Sequence, residues 1–495
     1  MATAAETQGV IRSLIPARID RLPWSPFHTR MVIALGVAWI LDGLEITVAS
    51  AVADTLTQPE TLGLSSAAVG LIATVYLAGE VVGALFFGRL SDKLGRRNLF
   101  MITLGVYLVG SGLTAFTLGN SAGWIVYLYI TRFIAGMGIG GEYAAINSAI
   151  DELIPARVRG RVDLVINGTY WLGSAAGAGG ALVLLDTANF PANIGWRLAF
   201  GVGALFGIFV LLVRRNIPES PRWLFIHGHN QEAERIVGEI EADVERETGQ
   251  PLPQPQGKPL KIRQRETISF VEIARVAFML YPRRAVLGLA LFIGQAFLYN
   301  GVTFNLGTLL SGFYGIDAGK VPQFYILWAL SNFFGPLVLG RLFDTVGRKP
   351  MIALSYIGSA VVAVALAVLF VNQIGGVWTF IGVLAATFFL ASAGASAAYL
   401  TVSEIFPMET RALAIAFFYA VGTAIGGISG PLLFGQLIES GERSQVMWSF
   451  LIGAAVMAVA GLVELWLGVA AEQRPLEELA LPLTVADAER EDESE

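Results

Sequence analysis

Two carboxylates stand three residues apart in an apolar stretch near the start of the sequence. Asp42 and Glu45 occur in WILDGLEITVAS, and a helix over this stretch would place both side chains on one face. Burial disfavours a charged carboxylate, and two close carboxylates disfavour each other's ionisation, so one of them could bind a proton near neutral pH. The pair is therefore a candidate for reversible proton binding.

A guanidinium in another apolar stretch could control that proton. Arg132 begins RFIAGMGIGGEY, and a fixed positive charge favours the ionised form of a nearby carboxylate. Movement of Arg132 towards or away from Glu45 would then release or load the proton. The alternative interpretation is a buried salt bridge that only joins two helices. Glu80 and Glu142 also lie in apolar stretches, where ionisable groups are costly and are used or paired.

The overall composition indicates that these residues lie in a membrane. The 495 residues are 55% hydrophobic and only 15% charged, with a mean hydropathy of +0.63, whereas soluble chains carry about a quarter charged residues. The apolar runs are about twenty residues long, enough for a helix to cross the hydrocarbon core. This excludes a soluble α/β enzyme or a β-sandwich. The absence of cysteine excludes disulfides, thiolate nucleophiles and cysteine metal ligands.

The apolar runs predict an all-α membrane protein with twelve transmembrane helices, the fifth of them over 162–185. Apolar residues at helical spacing also predict linker helices that begin after Asn230 and around Phe270. The predicted regions are a cytoplasmic tail (1–30), a first six-helix bundle (31–214), a cytoplasmic linker with short helices (215–284), a second six-helix bundle (285–470) and an acidic disordered tail (471–495).

The distribution of positive charge predicts the orientation. Twelve of the 33 lysines and arginines lie between Arg214 and Arg284, and positive charge concentrates on the cytoplasmic side of membrane proteins. We therefore expect a multi-pass protein of the cell membrane with the linker and both termini in the cytoplasm.

An internal duplication relates the two halves. GRLSDKLGRR at 88–97 recurs as GRLFDTVGRK at 340–349, an offset of 252 residues, and the same offset carries Glu152 and Arg159 onto Glu404 and Arg411. Two motifs with one offset predict a duplicated six-helix unit. The intramembrane charges do not follow it, since the offset places Gly294 and Phe297 where the first half has Asp42 and Glu45.

The repeated charges predict ion pairs that hold the cytoplasmic face shut. The alternative is a topology signal combined with tight-turn chemistry. The predicted gate residues of the first half are Gly88, Arg89, Asp92, Gly95, Arg96, Glu152 and Arg159, and those of the second half are Gly340, Arg341, Asp344, Gly347, Arg348, Glu404 and Arg411.

The chain resembles the major facilitator superfamily, and within it the sugar porters and related proton-coupled metabolite symporters. The resemblance rests on the paired loop motifs, RFIAGMGIGGEY, GWR at 195–197, PESPRWL at 218–224 and SEIFP at 403–407. It implies two pseudo-symmetric bundles and no catalytic chemistry. It also implies that the proton-coupling acid of helix one is Glu45 and its partner arginine is Arg132, while Asp42 resembles an acid of aromatic-acid symporters.

The resemblance also suggests residues that contact a solute. In GQAFLYNG, Gln295 and Asn300 lie where sugar porters carry amides, although amide bonds between helices are the alternative role. Asn167 stands in the place of a glutamine and Tyr399 in the place of a tryptophan. The rings of Phe304, Tyr399 and Tyr419 could stack on a sugar, an aromatic acid or a cation.

These features predict a secondary transporter, not an enzyme, that moves a sugar, polyol or organic acid with a proton by alternating access. No nucleotide-binding GxxxxGK motif followed by Ser or Thr occurs, which disfavours ATP-driven transport. We expect no cofactor, no metal, no nucleic acid and no obligatory protein partner besides the solute, the proton and the lipid bilayer. The alternatives are a proton-coupled antiporter that exports a drug or organic cation, and a non-transporting receptor on the same scaffold.

Overall fold

The computed structural model describes residues 10–214, 218–255, 260–263, 275–407 and 410–480. Within these ranges, eleven helices are long and apolar enough to cross a membrane. The helices of the first half are α1 (Ile15–Asp20), α2 (Pro26–Leu56), α3 (Ser66–Leu94), α4 (Arg96–Ala115), α5 (Ala122–Leu153), α6 (Arg159–Gly168), α7 (Tyr170–Leu184) and α8 (Ala192–Arg214).

The second half repeats this arrangement after the linker. The linker contains α9 (Pro221–Ile226) and α10 (Asn230–Thr248). The helices that follow it are α11 (Pro282–Tyr314), α12 (Val321–Thr345), α13 (Arg348–Val371), α14 (Val377–Ile405), α15 (Arg411–Gly422), α16 (Ile428–Glu439), α17 (Arg443–Leu467) and α18 (Leu476–Leu479). A π-helical turn over Thr423–Gly427 joins α15 to α16, and together they form one span.

The fifth predicted span is interrupted rather than continuous. It consists of α6 and α7, which are separated at Thr169. The Thr169 hydroxyl donates to the carbonyl of Gly36 at 2.9 Å and to that of Ile166 at 2.6 Å, and such side-chain bonds to backbone carbonyls bend helices. With this interrupted helix, the twelve predicted spans are all present in the described residues.

The two bundles meet along helices with small residues. α3 packs against α15, and α6 and α7 pack against α12. A Cβ atom at Gly88 would lie 2.6 Å from the Cβ of Ala416, and one at Gly168 would lie 3.1 Å from Pro336. Larger residues would therefore push the bundles apart. Gly136 and Gly140 instead bring α5 against α3 inside the first bundle, so they are not part of the interface between bundles.

The linker and termini differ in part from the expectation. α10 was predicted to begin after Asn230, but it begins at Asn230 itself and its N-cap is His229. The predicted helix around Phe270 falls mostly on residues outside the described part, which resumes with a π-helical turn over Val276–Leu280. A short antiparallel strand pair, β1 (Val10–Ser13) with β2 (Leu260–Arg263), joins the tail to the linker and was not predicted.

The prediction of a disordered tail from residue 471 is wrong for 471–480. This segment contains α18, whose Leu476 and Leu479 are buried. Glu477 lies 3.2 Å from Arg222 of α9, and Gln473 donates to the carbonyl of Asp344 at 2.8 Å. Apolar burial and these polar contacts fix the segment against the linker and the second bundle, although its composition is acidic.

Candidate transport site

A cavity of about 120 Å³ lies between the two bundles near the middle of the helices. All six predicted solute-contact residues line it, namely Asn167, Gln295, Asn300, Phe304, Tyr399 and Tyr419. Residues from both halves therefore meet at one site, although they are far apart in sequence.

Aromatic rings form much of the cavity wall. Trp39 stacks on Tyr143 with 4.6 Å between ring centroids, and Tyr143 meets Tyr419 edge to face at 4.9 Å. Tyr399 lies edge to face with Trp39 at 5.8 Å. Trp39 and Tyr143 belong to the first bundle and the other two to the second, so the contacts of Tyr143 with Tyr419 and of Trp39 with Tyr399 cross the interface between bundles.

The amides of the cavity divide between two roles. Asn167 donates to the side-chain oxygen of Asn147 on α5 at 2.9 Å, so it joins two helices. Asn300 donates to the carbonyl of Ala296 one turn earlier in its own helix, which leaves its side-chain oxygen available to a solute. Gln295 is partly exposed in the cavity.

Glu45 and Arg132 form an ion pair in the first bundle. Arg132 Nη1 lies 2.6 Å from Glu45 Oε1, and the side chains are 1% and 0% exposed. Ser111 of α4 donates to the same carboxylate oxygen at 2.7 Å. The guanidinium also lies 4.5 Å from the ring centroid of Tyr76. The Glu45 carboxylate thus contacts a cation and a hydroxyl donor in a buried place.

The other intramembrane acids of the first half are also buried. Asp42 lies one turn before Glu45 on α2 and Glu142 lies on α5, each 1% exposed. Glu80 of α3 lines the central cavity, and its Oε2 accepts a hydrogen bond at 2.7 Å from the hydroxyl of Tyr419. This contact joins the two bundles inside the cavity.

We define the far end as the end of the helices where α2 finishes, at Leu56. Two cavities lie at this end, and Arg132 lines one of them. These two cavities measure about 430 and 540 Å³. Phe304 lines both of them and the central cavity, and Ile46 lines the central cavity and the larger one. The central cavity is thus adjacent to space at the far end.

The opposite end, where α2 begins, carries the predicted gate residues and is called the charged end here. Arg96 lies 3.3 Å from Glu152 within the first bundle, and Arg348 lies 2.9 Å from Glu404 within the second. Each glutamate also faces an arginine of the other bundle, in the pairs Glu404 with Arg159 at 3.7 Å and Glu152 with Arg411 at 4.0 Å. The duplicated motifs thus form two related ion-pair chains across the interface.

Asp344 adds a further contact between bundles. Its carboxylate accepts hydrogen bonds from the backbone N–H groups of Gly160 at 3.1 Å and Arg161 at 2.9 Å, at the start of α6 where such donors lack helical partners. A Cβ at Gly340 would contact Arg161 at 3.5 Å. The side chain of Asp92, the counterpart of Asp344, lies outside the described part of the structure.

The remaining predicted gate residues shape the turns or lie on the surface. Gly95 and Gly347 have φ angles of +83° and +122°, a conformation that favours glycine. Arg89 and Arg341 are exposed.

The PESPRWL motif holds the linker against the charged end of the first bundle. Glu219 accepts hydrogen bonds from the backbone N–H of Arg96 at 2.8 Å and of Arg97 at 3.2 Å, at the start of α4, and burial raises the pKa of its carboxyl. Arg222 donates to the carbonyls of Asp151 and Glu152 at the end of α5. The motif thus joins the ends of two membrane helices.

Several residues of the site were not singled out for it from sequence. Trp39, Tyr143, Trp171 and Tyr299 line the central cavity. Aromatic residues are common on apolar helices, so residue type alone does not mark a cavity wall. Glu80 was visible as an intramembrane acid, but its contact with Tyr419 joins residues 339 positions apart.

Comparison with known proteins agrees with this architecture. The family model described as "Sugar (and other) transporter" matches residues 37–481. The chain is 28% identical to the niacin transporter NiaP of Acinetobacter baylyi over 94% of this chain and 99% of that protein. It is 28% identical to the putative metabolite transport protein YdjK of Escherichia coli, with coverage of 90% and 92%.

Solved structures share the fold. The proton:xylose symporter XylE bound to 6-bromo-6-deoxy-D-glucose superposes with a TM-score of 0.74 at 21% identity, covering 92% of this chain and 99% of that one. The inward-open form of XylE from E. coli superposes with a TM-score of 0.63 at 20% identity, covering 90% and 98%.

Proposed function

The chain belongs to the sugar (and other) transporter family of the major facilitator superfamily, so it is a multi-pass membrane transporter and not an enzyme; on that basis we propose that it couples the uptake of a small polar organic solute to a proton. The proposed place of action is the cell membrane, with the charged end and both termini on the cytoplasmic side.

The Glu45–Arg132 ion pair is the observation that carries the proton-coupling proposal. It is buried, yet Arg132 lines a cavity at the far end. A proton that arrives from this cavity would neutralise Glu45 and weaken its 2.6 Å contact with Arg132. Asp42, one turn away, is the second candidate carrier. Release of Arg132 would then allow the first bundle to rearrange.

The proposed transport cycle alternates access between the two ends. The far end has open cavities, while the charged end is closed by Arg159 with Glu404 and Arg411 with Glu152. This arrangement supports an outward-facing state. Inward opening would break these two crossing pairs and open the central cavity to the cytoplasm.

The proposed solute site is the central cavity. Gln295 and Asn300 would supply hydrogen bonds, with Asn167 ordering the wall between helices, and Phe304, Tyr399 and Tyr419 would supply ring contacts. XylE is described as a xylose symporter and NiaP as a niacin transporter. A sugar, a polyol or an organic acid is therefore a reasonable first set of solutes to test.

A proton-coupled antiporter that exports an organic cation is the second candidate. It is favoured by the carboxylate of Glu80 in the cavity wall. A receptor that binds without transport is the remaining alternative, and flux of any solute through the purified protein would exclude it.

Reconstitution in proteoliposomes tests these functions. Solutes that stabilise the purified protein in a thermal-shift screen would be offered to vesicles with an alkaline interior. Symport predicts uphill accumulation in that gradient and none when the gradient is reversed. Accumulation only in vesicles with an acidic interior would instead establish antiport.

A further inference from the structure

Among the described residues that line the central cavity, Glu80 is the only one with an ionisable acidic or basic side chain. None of these described lining residues is a lysine or an arginine. The Glu80 side chain is buried, with 2% exposure. Its Oε2 is held by Tyr419, whereas its Oε1 has no hydrogen-bond partner within the described part of the chain. A buried acceptor without a donor is costly, so this oxygen is suited to receive a donor from a ligand.

Arg132 is already paired. Its guanidinium lies over Tyr76, one turn before Glu80 on α3, and its Nη1 contacts Glu45 at 2.6 Å. The charges of Arg132 and Glu45 offset each other. Glu80 is therefore the described lining residue that can present a negative charge to a bound solute.

The walls around Glu80 consist of rings from both bundles. Tyr419, which holds Glu80, meets Tyr143 at 4.9 Å, and Tyr143 stacks on Trp39 at 4.6 Å. Tryptophan and tyrosine faces attract cations and pack well on flat rings. The cavity thus combines aromatic walls with one acceptor of negative charge.

We infer that the central cavity takes a planar aromatic solute that presents N–H donors or a positive charge to Oε1 of Glu80. This inference rests on the proposed function in one respect, which is that the central cavity is the solute site. It departs from the sugars, polyols and organic acids named above as first solutes and is closer to the organic cation of the second candidate. A solute carboxylate would face Glu80 without a cationic lining residue to balance it, and a polyol would leave the ring faces without a flat partner.

The inference also gives the solute a mechanical role. Glu80 belongs to the first bundle and Tyr419 to the second, and their 2.7 Å hydrogen bond crosses the interface. A donor on the solute would bond the free oxygen while the ring lies against Tyr419 and Tyr143. The bound solute would then bridge both bundles.

Three probes of similar size test which chemical class of solute the cavity binds: benzamidinium, benzamide and benzoate. They share a phenyl ring and differ in carrying a positive, a neutral or a negative planar group. Binding to the purified full-length protein is measured by calorimetry, with quenching of tryptophan fluorescence as a second readout. We expect benzamidinium to bind about tenfold more tightly than benzamide, since charge-assisted hydrogen bonds are roughly twice as strong as neutral ones, and benzoate to bind most weakly.

Glu80→Gln should reduce the preference for benzamidinium over benzamide to near unity. Glu464→Gln is the matched control, because Glu464 is a buried acid of the second bundle that does not line the cavity, and it should keep the preference. Tightest binding of benzoate, an unchanged preference in Glu80→Gln, or no binding of any probe at millimolar concentration would overturn the inference. The order of the three probes in the unmodified protein decides the question even if a variant does not fold.

Failure here is distinguishable from failure of the proposed function. The probe series measures equilibrium binding without a proton gradient. Proton coupling is measured separately by flux in vesicles, so either result can be negative while the other holds.

Discussion

Arg159 and Glu404 face each other across the two bundles, with 3.7 Å between Nη1 and Oε1, and both side chains are buried. Glu404 is held in addition by Arg348 of its own bundle at 2.9 Å. The contact therefore combines a fixed acid in one bundle with an arginine in the other. Opening of the charged end requires this contact to break while the pair within the second bundle can persist.

Removing Arg159, which pairs with Glu404 across the bundles, should open the charged end. Arg159→Gln leaves Glu404 with Arg348 as its cation, so the expected loss is smaller than the cost of about 3–5 kcal/mol for a buried charge left unpaired, but the contact between the bundles is removed. The chain contains no cysteine, so a single cysteine introduced at Ser396 in the central cavity is the only thiol. Its labelling by an impermeant maleimide from the charged end should rise several-fold.

The control for this variant is Arg235→Gln, which removes an exposed pair with Glu239 on α10. Surface pairs contribute about 0–1 kcal/mol, so labelling should not change. Equal labelling in the Arg159 variant and in this control would contradict the gate assignment.

Asp344→Ala should destabilise the same closed state. The carboxylate accepts two backbone N–H groups at the start of α6, and loss of such a cap costs about 0.5–2 kcal/mol. We expect a lower midpoint of thermal unfolding in detergent and faster labelling of the Ser396 position. Unchanged stability and labelling would show that the contact contributes nothing.

Removal of the terminal segment should loosen the charged end. A chain that ends at Val469 loses the contact of Glu477 with Arg222 and the bond from Gln473 to Asp344. Arg222, which is buried, would keep fewer acidic partners. We expect increased protease cleavage in the linker, with transport still present. A linker that resists protease as well as that of the full chain would contradict this role.

Close helix packing in the first bundle gives a matched pair of glycine variants. A Cβ at Gly140 would lie 2.0 Å from the carbonyl oxygen of Glu80, whereas one at Gly105 would meet nothing within 4 Å. Gly140→Ala should therefore destabilise by about 1–3 kcal/mol. Gly105→Ala should be neutral or stabilise by up to about 1 kcal/mol. Thermal unfolding of the purified variants measures both, and equal midpoints would contradict the packing described.

Much of the architecture could be predicted because membrane insertion and duplication leave strong patterns. Long apolar runs identify spans, and the common offset of 252 residues places Arg96, Glu152, Arg348 and Glu404 in related positions. The pairing of Glu45 with Arg132 was predicted from charge alone, because a buried acid needs a partner. The structure brings those two side chains together, and their function in proton coupling stays a prediction.

Other features depend on packing that sequence patterns do not contain. The acidic segment after residue 471 resembles a solvated tail, but two leucines one turn apart bury it beside Arg222. The break at Thr169 depends on a hydroxyl bond to Gly36 of another helix. The contact of Glu80 with Tyr419 depends on how the bundles meet.

The most direct test of proton coupling is the Glu45→Gln variant in proteoliposomes. An amide keeps the shape of the side chain but cannot bind and release the proton. The measurements are uphill uptake driven by an alkaline interior and solute exchange without a gradient, with Glu464→Gln as the control. The account predicts that Glu45→Gln abolishes uphill uptake and retains exchange, while the control keeps both. Undiminished uphill uptake in Glu45→Gln would contradict it.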